Sequence, residues 1–428
     1  MKGVDASVPV VVLGFHHGGL GIARSLGRWG VAVHGIDGDP RAPAFASRYC
    51  RGRAVWSVAR SDPRATVDFL LRSAPAERSI LVPTSDDAAL LVAEHADELS
   101  GRYLFQRNPP ELVRALCDKR ALYHLCRRLD VPTPETVFPQ CAADVEAFAA
   151  SAAFPVMLKG IDGLRLQART GVKMAIVRDA AELRERYKAL EDPREPNLML
   201  QEYIPGGDDT IWMFNGYFGA DSGCVAGFTG KKLRQHPVHT GSTSLGICLE
   251  NPEVYRLTAD FMRKVSYRGI LDIGWRYDAR DGGYKLLDPN PRIGSTFRLF
   301  VDRAGMDVAR WLYLDLTGQP LPAAAEYAGR RWMVEERDLE SVLDYFREGS
   351  LGPGEYFRSL RGVEEAAWFA RDDLRPFLRV AGATALRGVR AAGRRLVPGR
   401  RRSAAPAVQR AEAERRAALA PGPAAEGA

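Results

Sequence analysis

The run Val8-Pro-Val-Val-Val-Leu13 contains no polar side chain. A strand with one wet face alternates apolar and polar residues. A strand apolar throughout must be covered on both faces, as in a parallel sheet flanked by helices. A glycine-rich turn follows, Gly14-Phe-His-His-Gly18-Gly19-Leu-Gly21, then a helical pattern from Gly21 to Trp29. A second strand, Val31-Ala-Val-His-Gly-Ile36, ends at Asp37. A third, Ser79-Ile-Leu-Val-Pro83, leads to Asp86, Asp87 and a helix through Leu99. Repeated strand–helix units predict a doubly wound α/β domain over residues 1–105.

The glycine turn and Asp37 stand where a dinucleotide fingerprint would. His16, however, occupies a place where glycine is needed for a pyrophosphate to approach. His16 and His17 are expected either to contact a substrate or to sit on a solvated loop.

Farther along, Pro109 starts a helix that carries Lys119, and Pro132 and Pro134 end it. Residues 154–159, 172–177 and 198–204 read as strands, with a helix between the last two. Leu271–Tyr277 and Tyr284–Asp288 read as a hairpin joined by Asp278-Ala-Arg-Asp-Gly-Gly283, a turn-forming sequence. Residues 321–373 read as a mixed extension, and 374–428 as a basic, partly disordered tail.

Nine arginines and no acidic residue lie between Leu374 and Arg402, against a net charge of +7 for the chain. Segment 403–428 is neutral, so residues 1–373 carry a net −2. The basic charge therefore gives the folded part no reason to bind nucleic acid. Gly382, Gly388 and Gly393 weaken any helix in the tail. A solvated tail is expected ahead of weak docking on a membrane surface. The six cysteines lack zinc or redox spacing. No apolar run approaches the ~18 residues that span a bilayer, and no targeting peptide is recognised, so a cytoplasmic protein is expected. The oligomeric state is not readable.

Asp288-Pro-Asn-Pro-Arg292 carries the chemistry. Asp288 and Asn290 are two apart in a strand and point the same way. Two hard oxygen ligands on one face suit Mg²⁺ (or Mn²⁺), which also takes phosphate oxygens and water. Arg292 falls on the same side, where it can grip a phosphate. Lys159 closes the apolar strand Pro155-Val-Met-Leu-Lys beside Gly160, Gly163 and Gly171, a pattern read as a flexible loop that closes over phosphates. Gln201-Glu-Tyr-Ile-Pro-Gly-Gly-Asp208-Asp209 ends another apolar strand. The segment Lys231–Thr243, with Arg234, is either a solvated basic turn or, with Arg292 and Arg298, an anion site.

In number and order, Lys119, Pro-Val-Met-Leu-Lys159, Gln201-Glu-Tyr-Ile-Pro-Gly and Asp288-Pro-Asn-Pro-Arg292 resemble the ATP-grasp superfamily over about residues 8–320. The chain is most similar to its carboxylate–amine ligase branch, such as D-aspartate ligases. The resemblance implies a Rossmann-like pre-ATP-grasp domain, then a two-lobed α+β ATP-grasp domain over 106–320 with ATP between the lobes. It implies that Lys119 and Lys159 contact phosphates, and that Gln201, Glu202, Tyr203 and Ile204 line the adenine pocket. Asp208, or Asp209 if the register slips, takes the ribose. Asp288 and Asn290 hold the metal. Arg292, Lys159 and Arg234 act in catalysis. Gly18, Gly19, Asp86, Arg234 and Arg298 stand toward the acid and amine substrates.

One position departs from the pattern. The family places a metal-binding Glu where this chain has Gly274, and Asp272 is expected to replace it. The implied activity is Mg²⁺-dependent amide formation through an acyl phosphate. The alternatives are a nucleotide-binding regulator with impaired catalysis and an NAD-linked oxidoreductase.

Overall fold

The computed structural model describes residues 3–396 apart from 240 and 328. The first sheet is wholly parallel. It comprises β1 (Val10–Leu13), β2 (Val33–Asp37), β3 (Cys50–Val55), β4 (Ser79–Pro83) and β5 (Tyr103–Leu104), ordered β3-β2-β1-β4-β5. All four residues of β1 are buried, as its apolar run demands. Gly35 on β2 lies under Phe15, whose ring a Cβ would meet at 2.5 Å. The edge strand β3 has no sequence expectation, because its exposed arginines mask it. The helix expected through Leu99 breaks after Glu94.

The helix expected to carry Lys119 is two helices, Pro110–Cys117 and Lys119–Arg128. Asp118 separates them by accepting from Ala121 N at 2.7 Å, an N-cap that restarts the helix. A small antiparallel sheet follows, of β6 (Thr136–Val137), β7 (Val156–Gly160), β8 (Met174–Val177) and β9 (Leu198–Glu202), ordered β6-β9-β7-β8. The expected glycine loop is instead the helix Gly163–Thr170. Asp162 caps its start, and Gly171 ends it at φ 83°.

The large sheet holds β10 (Ile211–Phe218), β11 (Cys224–His236), β12 (Ser242–Cys248), β13 (Gly269–Asp278), β14 (Gly283–Asn290), β15 (Arg331–Met333) and β16 (Val363–Ala366). Its order is β14-β13-β10-β11-β12-β15-β16. Segment 321–373, expected as an extension, thus completes this sheet.

The expected tail begins as a helix, Arg375–Leu396, that continues across its glycines. Phe377 and Val380 anchor it on the core. The rest of the tail, 397–428, lies outside the described residues. Among those residues, no helix is long and apolar enough to cross a membrane.

A buried ion pair ties the first helix to the segment just before the last described helix. Arg24 Nε, in the first helix His17–Gly27, meets Asp373 Oδ2 at 3.0 Å, and the two side chains are 2% and 1% exposed. Arg24 also donates to the carbonyls of Ala367, Trp368 and Asp373. Asp373→Ala leaves that guanidinium buried without its counter-charge. A loss of ~3–5 kcal/mol is expected in denaturant titration. An unchanged midpoint contradicts this role.

Candidate active site

The large sheet presents one polar face. In the β13–β14 register Asp272 lies opposite Asn290, and Gly274 opposite Asp288. Next to β13, Asn215 of β10 lies opposite Asp272. Side chains alternate along strands, so these residues share a face. Asn290 Nδ2 donates to Asp272 O at 3.3 Å, and Asn290 Oδ1 accepts from Arg292 at 2.8 Å. Arg292 Nε also donates to Asp86 Oδ1 at 2.8 Å, so Asp86, Asn290 and Arg292 form one chain across the domains. Burial pushes the Asp272 carboxyl above its usual range, while Arg292 and Lys232 pull it down. Gly294 makes room for that carboxyl, which a Cβ there would meet at 2.5 Å.

The small sheet faces this group with lysines. Lys159 Nζ donates to Gln201 Oε1 at 2.7 Å, and Gln201 Nε2 donates to Thr136 Oγ1 at 2.9 Å. Lys119 Nζ donates to Ile161 O at 2.9 Å. Burial brings the Lys159 ammonium down to about 8; Asp288 raises it, and Lys119 and Arg276 lower it further.

Other expected residues are placed differently. The Glu202 carboxylate accepts from Lys285 and Arg280, both at 2.8 Å, so its side chain turns to the β13–β14 hairpin. Tyr203 lies 5.8 Å from the Arg276 guanidinium, and Ile204 is buried. Asp208, expected at the ribose, accepts from Gln235 Nε2 at 2.8 Å and from the Tyr345 hydroxyl. Asp209 is exposed. Gly18 and Gly19 lie in the first turn of the helix His17–Gly27, and a Cβ at Gly18 would come 2.9 Å from Ser295 Cα. His16 caps that helix by accepting from Gly18 N at 3.0 Å. His17 is buried near Trp332 and Trp368 rather than solvated.

Two expected arginines are not free for substrate. Arg234 forks onto Asp338 at 2.7 and 2.8 Å, and the pair is 4% and 0% exposed. The bulge between Lys232 and Arg234 takes Arg234 out of the alternation that carries Lys232. Arg298 is buried between Asp307 and Glu365.

Three residues went unrecognised in the sequence, Asn215, Arg276 and Arg337, and Lys232 figures there only as part of the basic segment Lys231–Thr243. Lys232 donates to Gly241 O at 3.2 Å; burial lowers its ammonium, while Asp272, Asp288 and Asp208 raise it. Arg337 donates to Ser242 Oγ at 2.8 Å and helps lower both His16 and His17. Alternation along β11 points to Lys232 once the bulge is known. Nothing in the local sequence marks Arg337.

The residues present fit a magnesium ion. Asn215 has its amide buried beside the Asp272–Asn290 pair, and that amide helps hold the Asp272 carboxyl down. Among the described residues no three His, Cys, Asp or Glu side chains gather as a metal cage. Few protein ligands, with phosphates and water completing the shell, is the usual situation of Mg²⁺.

Arg234→Ala strips a buried aspartate of its partner. It is expected to cost ~3–5 kcal/mol in denaturant titration. A variant as stable as the parent would return Arg234 to the candidates for substrate binding.

No family model matches the chain. It is 25% identical over 364 residues to the D-aspartate ligase of Enterococcus faecium (strain Aus0004), which covers 79% of this chain and 84% of the relative. Its fold is similar to N5-carboxyaminoimidazole synthetase from Staphylococcus aureus complexed with ADP. There the TM-score is 0.59 at 11% identity, over 76% of this chain and 81% of that one. It is also similar to an L-amino acid ligase from Bacillus licheniformis, at TM-score 0.54 and 14% identity, over 73% and 75% of the two chains. The chain is thus similar along most of its length to a D-aspartate ligase, and its fold is like those of the synthetase and the L-amino acid ligase.

Proposed function

We propose that the protein activates a small carboxylic acid with Mg-ATP as an acyl phosphate and passes the acyl group to an amine. The observation that carries this reading is the β13–β14 register, which sets Asp272 opposite Asn290 and Gly274 opposite Asp288 on one face, with Arg292 bonded to Asn290. Asp288 and Asn290, with Asp272 in place of the family's glutamate at 274, would hold magnesium. The ion would offset the charge of the phosphate oxygens. Lys119 and Lys159 would hold the phosphates from the small sheet. Exposed Asp209 takes the ribose role if Asp208 keeps its present partners.

A carboxylate oxygen of the acid attacks the γ-phosphorus in line, and ADP leaves. Arg292, held between Asp86 and Asn290, is positioned to lend charge to the transferred group. The amine nitrogen then attacks the acyl carbon, and inorganic phosphate leaves. The relative's name makes D-aspartate the first acid to try.

The second reading is a regulator with impaired catalysis. It draws on Gly274, where a Cβ would meet nothing nearer than 3.9 Å, so the expected ligand position is open. ADP release separates the two. A ligase releases ADP steadily only when acid and amine are both present, and a regulator releases none with any pair.

Asp272→Asn is expected to raise the magnesium needed for half-maximal ADP release by about tenfold or more. An unchanged requirement removes Asp272 from the metal site.

Lys159 supplies a pH test. Its folded value is about 8, below the ordinary lysine value, so above about pH 8 the folded free protein binds fewer protons than the unfolded chain. Stability from this group therefore rises with pH above about 8, until the unfolded lysine also loses its proton. Bound phosphates favour the charged ammonium, so Mg-ATP binding near pH 8.5 is expected to take up a proton. Calorimetry in buffers of different ionisation heat reads that uptake. Lys159→Met is expected to abolish it, and uptake that persists in the variant assigns the proton elsewhere.

A further inference from the structure

The helix Arg375–Leu396 contributes no residue to the site above. Its inner stripe packs on the core through Phe377 and Val380, and Phe377 meets Phe369 edge-on at 5.5 Å. Large apolar side chains are exposed at its start and along its first half. Leu374, Leu378 and Leu386 are 44%, 62% and 51% exposed. Arg375 and Arg379 are exposed among these leucines and have no ion-pair partner among the described residues. Arg387, by contrast, reaches Glu340 at 3.6 Å. In sequence, nine arginines and no acidic residue lie between Leu374 and Arg402, whereas residues 1–373 carry a net −2.

We infer that this face docks the protein on an anionic lipid bilayer. Leucines entering the headgroup boundary remove apolar area from water, and the adjacent arginines meet lipid phosphates. The charge distribution selects among occupants. A nucleic acid would use the arginines but leave the leucines wet. A second copy docked face to face would set arginine against arginine. The inference is independent of the proposed reaction, and it places whatever this site does at a membrane surface.

The full chain is floated with vesicles of phosphatidylcholine alone, or with about one-third phosphatidylglycerol added. At least about tenfold more protein is expected on the anionic vesicles, falling as salt rises. Leu378→Ser/Leu386→Ser and Arg375→Gln/Arg379→Gln are each expected to lower that binding by about tenfold. These side chains are exposed, so an unchanged melting temperature shows that docking, not folding, was lost. If one variant melts early, the other decides. Equal binding to both vesicle types overturns the proposal. So does parent-like binding of a variant that melts normally, or retention on single-stranded RNA with none on vesicles.

Discussion

Antiparallel pairing of β13 with β14 sets Asp272 against Asn290 and Gly274 against Asp288. A slip of one residue would turn Asp288 and Asn290 to the other face of the sheet, so the site depends on this register. The hairpin is pinned by charge. Asp278 at its turn is buried, and Arg280 and Lys285 hold its carboxyl well below the usual range despite that burial. Lys285 and Arg280 also grip Glu202 at the end of β9. One ion network thus joins the strand expected beside adenine, in the small sheet, to the hairpin expected beside magnesium, in the large one.

Similar buried pairs hold the N-terminal domain in place. Asp307 accepts from Ser25 of the first helix and pairs with Arg298, which also reaches Glu365 on β16. Removing one member of such a pair costs much more than the pair contributes over apolar packing. These contacts fix position more than they add stability. They bring the turn at Gly18 against Ser295, just past Arg292, and they place Arg292 beside Asp86. The Arg375–Leu396 helix begins two residues beyond the Arg24–Asp373 pair, so its start is fixed by the same anchoring.

Much of the fold is legible in the sequence where one physical signal dominates. β1 is apolar throughout, and the β13–β14 hairpin has alternation and a turn between its strands. Asp288, Asn290 and Lys159 are legible for the same reason, because strand parity and strand ends fix their placement. β3 is not, since an edge strand that exposes arginines has no apolar pattern. β15 and β16 are three and four residues long, too short for a period. Gly163 and Gly171 suggest a loop, yet Asp162 supplies a cap and Gly171 a left-handed ending, so the glycines bracket a helix. Arg234 and Arg298 mislead for another reason. A sequence shows a guanidinium but not its partner, and Asp338 lies 104 residues from Arg234. Lys232 is legible only as one donor of the basic segment Lys231–Thr243, because nothing in the sequence tells it apart from Lys231 or Arg234 until the sheet buries it toward the charges of Asp272 and Asp288.

The central claim is that this face transfers a phosphoryl group to a carboxylate before an amine attacks. Following ¹⁸O from the carboxylate of the acid substrate tests it most directly. The account predicts that, with ATP and amine present, one labelled oxygen appears in the inorganic phosphate released. Label appearing in AMP, or product formed with unlabelled phosphate, would contradict it.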